Sequence, residues 1–383
     1  MNRSACLWGL LFALLTVHGV LQAAVIRVGP AGDVGSISAA AQRAKSGDII
    51  EISSGEWHAD VALWDNKDIT IRGVGVRPVL HADGKSMEGK AIWVFRRGNY
   101  IVDNIEFRGA RVADGNGAGI RFESGKLLVK NCHFVDNENG ILTSNNNDAE
   151  LIIENSLFAK APHHERPLPH LLYVGRIASV KISGSRFHSG YAGHLIKSRA
   201  RDTEISYNLI FDGPTGAASY EVDLPNAGNA RLIGNVIGQS AQTKNPVMVA
   251  YGAEGSAWPN NNLVMAHNTL LSEGSRPAWF VRVWKNRVPR EFKMLALNNL
   301  YSGLGLFNYG ISGVFDGNWL VPYTSFQSWS TLDFRLAEDS VYRQVMSSAS
   351  DIDDSLVPKR EFKLPLGTVR IGQYGRIKPG AFQ

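Results

Sequence analysis

The chain has very little cysteine and no strong charge imbalance. Of its two cysteines, Cys6 lies in an apolar N-terminal segment, so Cys132 has no partner once that segment is removed, and an intramolecular disulfide is excluded. The formal net charge is only +5, too small by itself to indicate a nucleic-acid-binding protein. No histidine and cysteine cluster suggests zinc. The 383 residues, 44% hydrophobic and 20% charged, are typical of a globular chain.

Long apolar runs are also missing, except at the N terminus. Arg3 precedes an apolar run from Leu7 to Val20, and the small pair Ala23 and Ala24 supplies a cleavage point, as in an export signal. No later stretch approaches the ~18 apolar residues that a membrane span needs. We therefore expect residues 1–24 to be a signal peptide and the mature protein to be a soluble, periplasmic or secreted monomer. An uncleaved N-terminal anchor is the alternative.

The middle of the chain repeats a short element of the form x-x-Asn-x-x-apolar. Its intervals are 24 to 33 residues, about one coil of a solenoid each. The element is centred on Asn104, Asn131, Asn155, Gly184, Asn208, Asn235, Asn268 and Asn298. An interior aromatic stack is predicted for the phenylalanines that follow this column, namely Phe107, Phe134, Phe158, Phe187 and Phe211.

A second series of strands falls between these elements, for example GIRFES at Gly119 and YEVDL at Tyr220. Two strand families per coil with short turns predict an all-β, right-handed parallel β-helix, whereas a sandwich needs no such period and the leucine-rich L-x-x-L-x-L signature is absent. The pattern SISAAAQRAKSGD predicts a short helix that caps the first coil, begins at Ser36 or Ser38 and stops at Gly47. We expect the β-helix over residues 25–303 and a C-terminal tail over 304–383, packed on the solenoid.

The opening of this series carries a resemblance. The helix, SGDIIEISSGEW and DITIRGVG together resemble the start of exported bacterial right-handed parallel β-helix proteins of the pectate-lyase-like superfamily. Over almost its whole length, the chain is similar to a branch of these proteins with no established activity. The Asp-His motif of alginate C5-epimerases, the paired aspartates of polygalacturonases and the R-x-P-x-x-R strand of pectate lyases are not found.

A candidate site follows from the coil spacing. Tyr173, Lys197 and Asp223 are separated by 24 and 26 residues and alternate with apolar neighbours, so we expect them to form one outward column on adjacent coils. Residues two apart on a strand share a face, which places Arg199 and Glu221 beside this column.

The surroundings of the column are basic. From Lys160 to Arg201 there are eight lysines and arginines, one acidic residue and five histidines, which favours an anionic ligand such as an acidic polysaccharide. Solvated loops with ion pairs between coils are the alternative interpretation. The predicted substrate-binding residues are Arg176, His170, His194, Arg201, Tyr251 and Glu254.

These residue types suit proton abstraction from C5 of a uronate. Arg199 or Arg201 would neutralise the carboxylate, Lys197 would act as the base, with guanidinium neighbours expected to lower its pKa, and Tyr173 would protonate the leaving oxygen. Returning the proton to the opposite face would instead give a C5-epimerase. Lys197 in HLIKS is also similar to the lysine strand of chondroitinase B and related alginate lyases, which implies the same base. At the next strand those relatives carry a basic pair, and this chain has Glu221 and Asp223 instead.

Other readings remain open. Glu221 and Asp223 have a spacing compatible with an inverting glycoside hydrolase, and they are the candidate pair for a calcium ion, although we expect no cofactor. The charged column can also be a structural ladder in a non-catalytic polysaccharide-binding β-helix. Sugar stacking and packing against the tail are both open for Trp258, Trp279 and Trp284.

Overall fold

The computed structural model describes residues 23–65, 67–164, 168–344, 352–372 and 377–383. The signal-peptide prediction falls almost entirely on residues 1–22, which lie outside the described residues. Within the described residues, three parallel sheets run along a rod, and each coil passes through sheet A, then sheet B, then sheet C. None of the helices in these ranges is long and apolar enough to cross a membrane.

In the described part of the chain, the sheets have twelve, eleven and ten strands. Sheet A consists of Val25–Val28, Ile49–Ser53, Lys67–Val74, Gly98–Asp103, Lys126–Lys130, Asn146–Glu154, Ile177–Ser183, Asp202–Ser206, Asn229–Ile233, Asn262–Ala266, Met294–Leu297 and Gly313–Asp316. Sheet B consists of Glu56–His58, Val79–His81, Glu106–Arg108, His133–Val135, Leu157–Ala159, Arg186–His188, Leu209–Phe211, Val236–Gln239, Thr269–Ser272, Leu300–Ser302 and Trp319–Leu320. Sheet C consists of Ala62–Trp64, Ala91–Phe95, Ala118–Phe122, Asn139–Thr143, His170–Val174, Ile196–Ser198, Val222–Leu224, Val247–Tyr251, Ala278–Val283 and Gly305–Leu306.

All three sheets are parallel, and the predicted right-handed parallel β-helix is confirmed. Each coil has three strands, however, and not the two that the sequence predicted. The x-x-Asn-x-x-apolar element spans two of them, because a residue in the left-handed conformation bends the chain between sheets A and B. Asn104, with a φ of 57°, makes this bend between Gly98–Asp103 and Glu106–Arg108.

The asparagine column of the sequence contains two structural positions. In early coils the asparagine is the bend residue, but in a later coil the bend is at Tyr207 and Asn208 lies one residue further on, inside the rod. There the side-chain amide of Asn208 donates to Asn235 Oδ1 at 3.0 Å. The buried amide ladder continues through Asn268, Asn299 and Asn318.

Phenylalanines of sheet B form an interior stack with ring centres 4.7 to 5.1 Å apart. The prediction was wrong for Phe211, because Ile210 is the residue that pairs with Phe187. Phe211 instead contacts Phe334 of the C-terminal segment, with 6.0 Å between the ring centres. The stack consists of Phe107, Phe134, Phe158 and Phe187.

A helix closes the N-terminal end of the rod. It spans Ile37–Arg43, and its first turn is capped by Ser36, whose side chain accepts a hydrogen bond from Ala39 N–H at 3.2 Å. Its apolar side covers the interior of the first coil, which has no preceding coil to pack against. The helix ends before Gly47, the predicted stop.

At the other end, parallel pairing continues beyond Gly303 to Trp319–Leu320. The chain then returns along the outside of sheet B, where Phe326, Phe334 and Phe362 join an apolar cluster with residues of that sheet. The described part of this segment contains two antiparallel pairs, Phe326–Ser328 with Asp333–Leu336 and Arg360–Phe362 with Thr368–Arg370. Its 3-10 helices are Tyr323–Ser325, Trp329–Thr331, Val341–Arg343 and Asp354–Leu356.

Candidate active site on sheet C

Strands of sheet C place two consecutive residues inside the rod. A side chain built at Gly140 would meet the interior side chains of Phe158 and Phe134, at 2.7 and 3.1 Å, and the next residue, Ile141, also belongs to the core. Leu142 then faces outward, in a separate apolar cluster. Strict alternation therefore fails at the beginning of these strands, and it resumes at the outward position that Leu142 occupies.

The predicted column is present at this outward position. Tyr173, Lys197 and Asp223 are register partners on three neighbouring strands. Lys197 Nζ lies 3.4 Å from Asp223 Oδ2 and 5.5 Å from the centre of the Tyr173 ring. The side chains of Lys197 and Asp223 are only 12% and 3% exposed, so this ion pair is shielded from water. We use the name outward file for the register partners at this position of sheet C, which are Arg121, Leu142, Tyr173, Lys197, Asp223, Ala250 and Arg282.

Arg199, at the next outward position of its chain, holds the carboxylate of Glu254. Its two terminal nitrogens donate to the two Glu254 oxygens at 2.6 and 2.9 Å, and its Nε donates to the Tyr173 hydroxyl at 3.2 Å. Asn226 Oδ1 accepts a further bond from Arg199 at 2.5 Å. Lys197 Nζ lies 3.6 Å from the same carboxylate, so two cations share it. The hydrogen bond from Arg199 is the main cause that lowers the pKa of Glu254.

The environment of Lys197 differs from the expected one. The sequence predicts guanidinium groups as the neighbours that influence this amine most. The charged groups within ion-pair distance of its Nζ are instead the carboxylates of Asp223 and Glu254. Arg199 approaches Lys197 only indirectly, because both lie over the Tyr173 ring and both contact Glu254.

A stack of rings supports Asp223. The ring centres of His170 and His194 are 4.9 Å apart, and those of His194 and Tyr220 are 4.7 Å apart. His170 Nδ1 accepts the His194 backbone N–H at 3.0 Å, and His194 Nδ1 accepts that of Tyr220 at 3.3 Å. Because Nδ1 accepts, Nε2 carries the proton of neutral His194, and this atom lies 3.3 Å from Asp223 Oδ2.

Burial sets the protonation of these groups. Burial, together with Lys197 and Arg199, lowers the pKa of His170 to about 3. Burial also lowers the pKa of His194 well below its usual value, so both rings are neutral at neutral pH. Burial raises the pKa of Asp223 to about 6, against the opposing effect of Lys197. Asp223 therefore changes its protonation in mildly acidic solution.

Glu221 does not face outward, contrary to the prediction. It occupies the first of the two inward positions, which the adjacent coils fill with Leu195 and Met248 of the core. Glu221 is fully buried, and neither carboxylate oxygen has a hydrogen-bond partner among the described residues. Burial raises its pKa well above the usual value, so it is a neutral acid inside the rod. It cannot share a hydrolytic role or a calcium ion with Asp223.

Three predicted substrate-binding residues lie elsewhere. Tyr251 is fully buried, and its hydroxyl donates to the Gly228 carbonyl at 2.6 Å, so it cannot contact a substrate. The alternation of its strand explains this, because the outward residue is the preceding one. Arg176 and Arg201 are exposed at the turn from sheet C to sheet A, where Arg201 Nε donates to Asp202 at 3.0 Å. No group of three or more metal-ligating side chains occurs among the described residues.

An open cleft of about 390 Å³ adjoins the site on the N-terminal side of Tyr173. Arg121 lies there in the outward file, two strands before Tyr173, with a buried Nε that has no partner among the described residues. Sequence reasoning missed Arg121, although extending the column by two coils would have identified it. It also missed Tyr220 and Asn226, which follow from contacts between loops. The cleft is also lined by Lys90, Asp114, Leu142, Thr143 and Asn145.

Comparison with solved structures supports the fold. Pectate lyase Pel9A is similar over 86% of this chain and 94% of its own, with 12% identity and a TM-score of 0.59. At this identity the match shows the β-helix fold alone, and it confirms the resemblance seen in the sequence at that level.

Two alginate lyases are more distant. The alginate lyase AlyGC of family PL6 matches 81% of this chain and 38% of its own, with 13% identity and a TM-score of 0.37. The alginate lyase from Paenibacillus sp. str. FPU-7 matches 77% and 98%, with 11% identity and a TM-score of 0.39. No family model matches the chain, and no curated protein matches it.

Proposed function

We propose that this chain is a polysaccharide lyase or C5-epimerase that removes the C5 proton of an acidic, uronate-containing polysaccharide. One observation carries the proposal: Arg199 and Lys197 hold a single carboxylate together, beside the Tyr173 hydroxyl, on the outer face of the rod. Both reactions need a cation at the sugar carboxylate, a base near C5 and a proton donor, and we assign these roles to Arg199, Lys197 and Tyr173. The fold shared with a pectate lyase adds support.

Glu254 occupies the place that we assign to the sugar carboxylate. Its paired hydrogen bonds with Arg199 are the geometry that a guanidinium offers to any carboxylate. Glu254 is 47% exposed and follows the strand Val247–Tyr251, so a substrate can displace it while the rod stays unchanged. Arg199 would then stabilise the negative charge that builds up when C5 loses its proton.

The proton steps are assigned to Lys197 and Tyr173. The Lys197 amine takes the C5 proton, the C5 electron pair forms the C4–C5 double bond, and the C4–O4 bond breaks as O4 receives a proton from Tyr173. In the epimerase form the C4–O4 bond remains, the C5 electron pair is held on the sugar carboxylate, and Tyr173 delivers a proton to C5 from the opposite face. Asp223 is a positioning residue, which contacts the Lys197 amine at 3.4 Å.

Hydrolysis is less well supported. The pair expected for it, Glu221 and Asp223, is divided between the inside and the outside of the rod. Glu254 is a poor replacement, because Arg199 lowers its pKa and a hydrolase needs a protonated general acid.

The test measures both reactions on the same substrates. The protein is incubated with alginate, polygalacturonate and hyaluronan. The ultraviolet absorbance of the unsaturated product reports lyase activity, and deuterium uptake at C5 in D2O reports epimerisation. Lys197→Met should abolish the signal, whereas Lys181→Met, an exposed lysine of the same coil on sheet A, should retain it. Binding of a polymer without either signal would establish the non-catalytic alternative.

A further inference from the structure

A second cleft lies on sheet C, on the C-terminal side of the Lys197 cluster. Its volume is about 310 Å³. Arg282 lines it and belongs to the outward file, because the register runs from Lys197 through Asp223 and Ala250 to Arg282. Three strand steps of ~4.8 Å place the backbones of Lys197 and Arg282 roughly 14 Å apart. The cleft is therefore aligned with the candidate active site and separate from it.

Two tryptophans flank the guanidinium of Arg282. Its Cζ lies 4.7 Å from the centre of the Trp284 ring and 5.9 Å from that of Trp279. Both indoles are half-buried, and Tyr309, which is 72% exposed, meets Trp279 edge-on. None of the described residues that line this cleft is acidic, and Lys285 adds a second positive charge. Unlike Arg199, Arg282 therefore offers its guanidinium to an external anion.

The tryptophans are not explained by packing against the tail. The apolar cluster between sheet B and the C-terminal segment contains neither Trp279 nor Trp284. Their neighbours are instead the arginine and the exposed tyrosine of the cleft. The flat apolar surfaces at this end of sheet C thus remain partly open beside a cation.

We propose that this cleft is a distal subsite for an acidic sugar unit of the polysaccharide that reaches the active site. An indole covers the apolar face of a pyranose ring, and the planar guanidinium binds the carboxylate of the same unit through paired hydrogen bonds. The identity of the polymer rests on the proposed function. The existence of the subsite rests on the geometry of Trp279, Arg282 and Trp284.

The subsite also defines the length of the ligand. The outward file has an arginine three strands before Lys197, at Arg121, and another three strands after it, at Arg282. Six strand steps of ~4.8 Å span roughly 29 Å. A ligand that lies along the rod and reaches both arginines must contain several sugar units. The preferred ligand is therefore a polymer segment, not a monosaccharide or disaccharide.

The test compares ligands of two lengths. Isothermal titration calorimetry measures the Kd of oligogalacturonates and oligomannuronates of three and eight units. Arg282→Gln and Trp284→Ala should each weaken octamer binding about tenfold, because each removes a charge-assisted contact or a stacking surface. The ratio of trimer Kd to octamer Kd should fall towards one. Arg282→Lys keeps the positive charge and loses the paired hydrogen bonds, so its octamer Kd should lie between those of the wild type and Arg282→Gln. Lys181→Met should keep the octamer Kd of the wild type.

The outcomes separate this proposal from the catalytic one. An unchanged octamer Kd in both variants, with unfolding midpoints like that of the wild type, overturns the subsite. Equal losses on trimer and octamer overturn it as well. Octamer binding that depends on Arg282, without turnover, keeps the subsite and removes the catalytic proposal. Turnover with no dependence on chain length keeps the catalytic proposal and overturns the subsite. If no octamer binds, both proposals are overturned.

Discussion

The outer faces of sheets A and C carry ion pairs of similar geometry in very different surroundings. On sheet A, Lys126 and Glu150 are register partners 3.1 Å apart, with side chains 64% and 39% exposed. On sheet C, Lys197 and Asp223 are register partners 3.4 Å apart, with side chains 12% and 3% exposed. Distance alone therefore does not distinguish a structural ladder from a candidate site. Loss of water does, because it shifts the pKa of Asp223.

The segment after the strand Val247–Tyr251 contacts the preceding coil beside this site. Its backbone bonds to the preceding coil at Pro225 and Asn226, and Trp258 Nε1 donates to the Arg199 carbonyl at 3.1 Å. Glu254 belongs to the same segment. One segment therefore supplies the carboxylate that Arg199 binds and also holds the Arg199 backbone.

The largest difference between the two faces should appear when an arginine is removed from each. Arg199 and Arg72 both contact a glutamate at 2.6 Å, but Arg72 is an exposed residue of sheet A. Arg199→Met should lower kcat/KM for the uronate polymer about 10² to 10³-fold, because it removes preorganised donors at the developing charge. Arg72→Met should leave kcat/KM unchanged. Equal kcat/KM values for the two variants would mean that the ion pairs on sheet C are structural and have no catalytic role.

The buried acid inside sheet C should produce the next largest effect, on stability. Glu221→Met should raise the free energy of unfolding by about 1–3 kcal/mol, since it replaces an unpaired buried polar group with an apolar one. The gain should grow with pH. The unfolded carboxyl ionises near its usual pKa of ~4.3 while the folded one stays protonated, so the wild type loses stability as the pH rises above that value.

Urea titrations at pH 4 and pH 8 provide the measurement for Glu221. Glu150→Met, at an exposed position of sheet A, is the matched control and should show no comparable gain. A Glu221→Met protein that is less stable than the wild type at pH 8 would show that the buried carboxyl has a partner that favours it.

Much of the fold could be predicted from the sequence, and the site only in part. The repeat interval and the phenylalanine column report the coil directly, because each coil repeats the same interior contacts. Alternation correctly identified Lys197 and Asp223, which lie after the point where the chain places two residues inside. Alternation failed at Glu221, because two consecutive residues of this strand point into the rod. The sequence signal for this was in the adjacent coils, where the same two positions are the apolar pairs Leu195-Ile196 and Met248-Val249.

The contacts of Glu254 were beyond sequence reasoning for a different reason. Residues 199 and 254 are 55 positions apart, and the length of the connecting loops decides whether their side chains meet. No periodic pattern encodes that meeting. The sequence gives the register of strands, but it does not give the path of a loop across the face of a neighbouring coil.

A smaller effect is expected in the pH dependence of activity. The carboxyl of Asp223, with its pKa raised by burial to about 6, must be ionised to hold the Lys197 amine. Below pH 6 the wild type should lose kcat/KM about tenfold per pH unit. His170 and His194 do not titrate in this range, because burial lowers their pKa values. Asp223→Asn should have lower activity without this acidic limb, and a limb that persists in the variant assigns it to another group.

The smallest effect is expected on the outer face of sheet A, where the side chains of the same kind of ion pair are 64% and 39% exposed to salt and water. Lys126→Met should change the free energy of unfolding by only about 0.2–1 kcal/mol, because an exposed pair gains little over its hydrated, separated partners. This change should shrink further in 1 M salt, where the screening length is ~3 Å. Urea titrations at low and high salt measure both quantities. A loss of several kcal/mol would contradict the view that burial, and not strand register, separates the two faces.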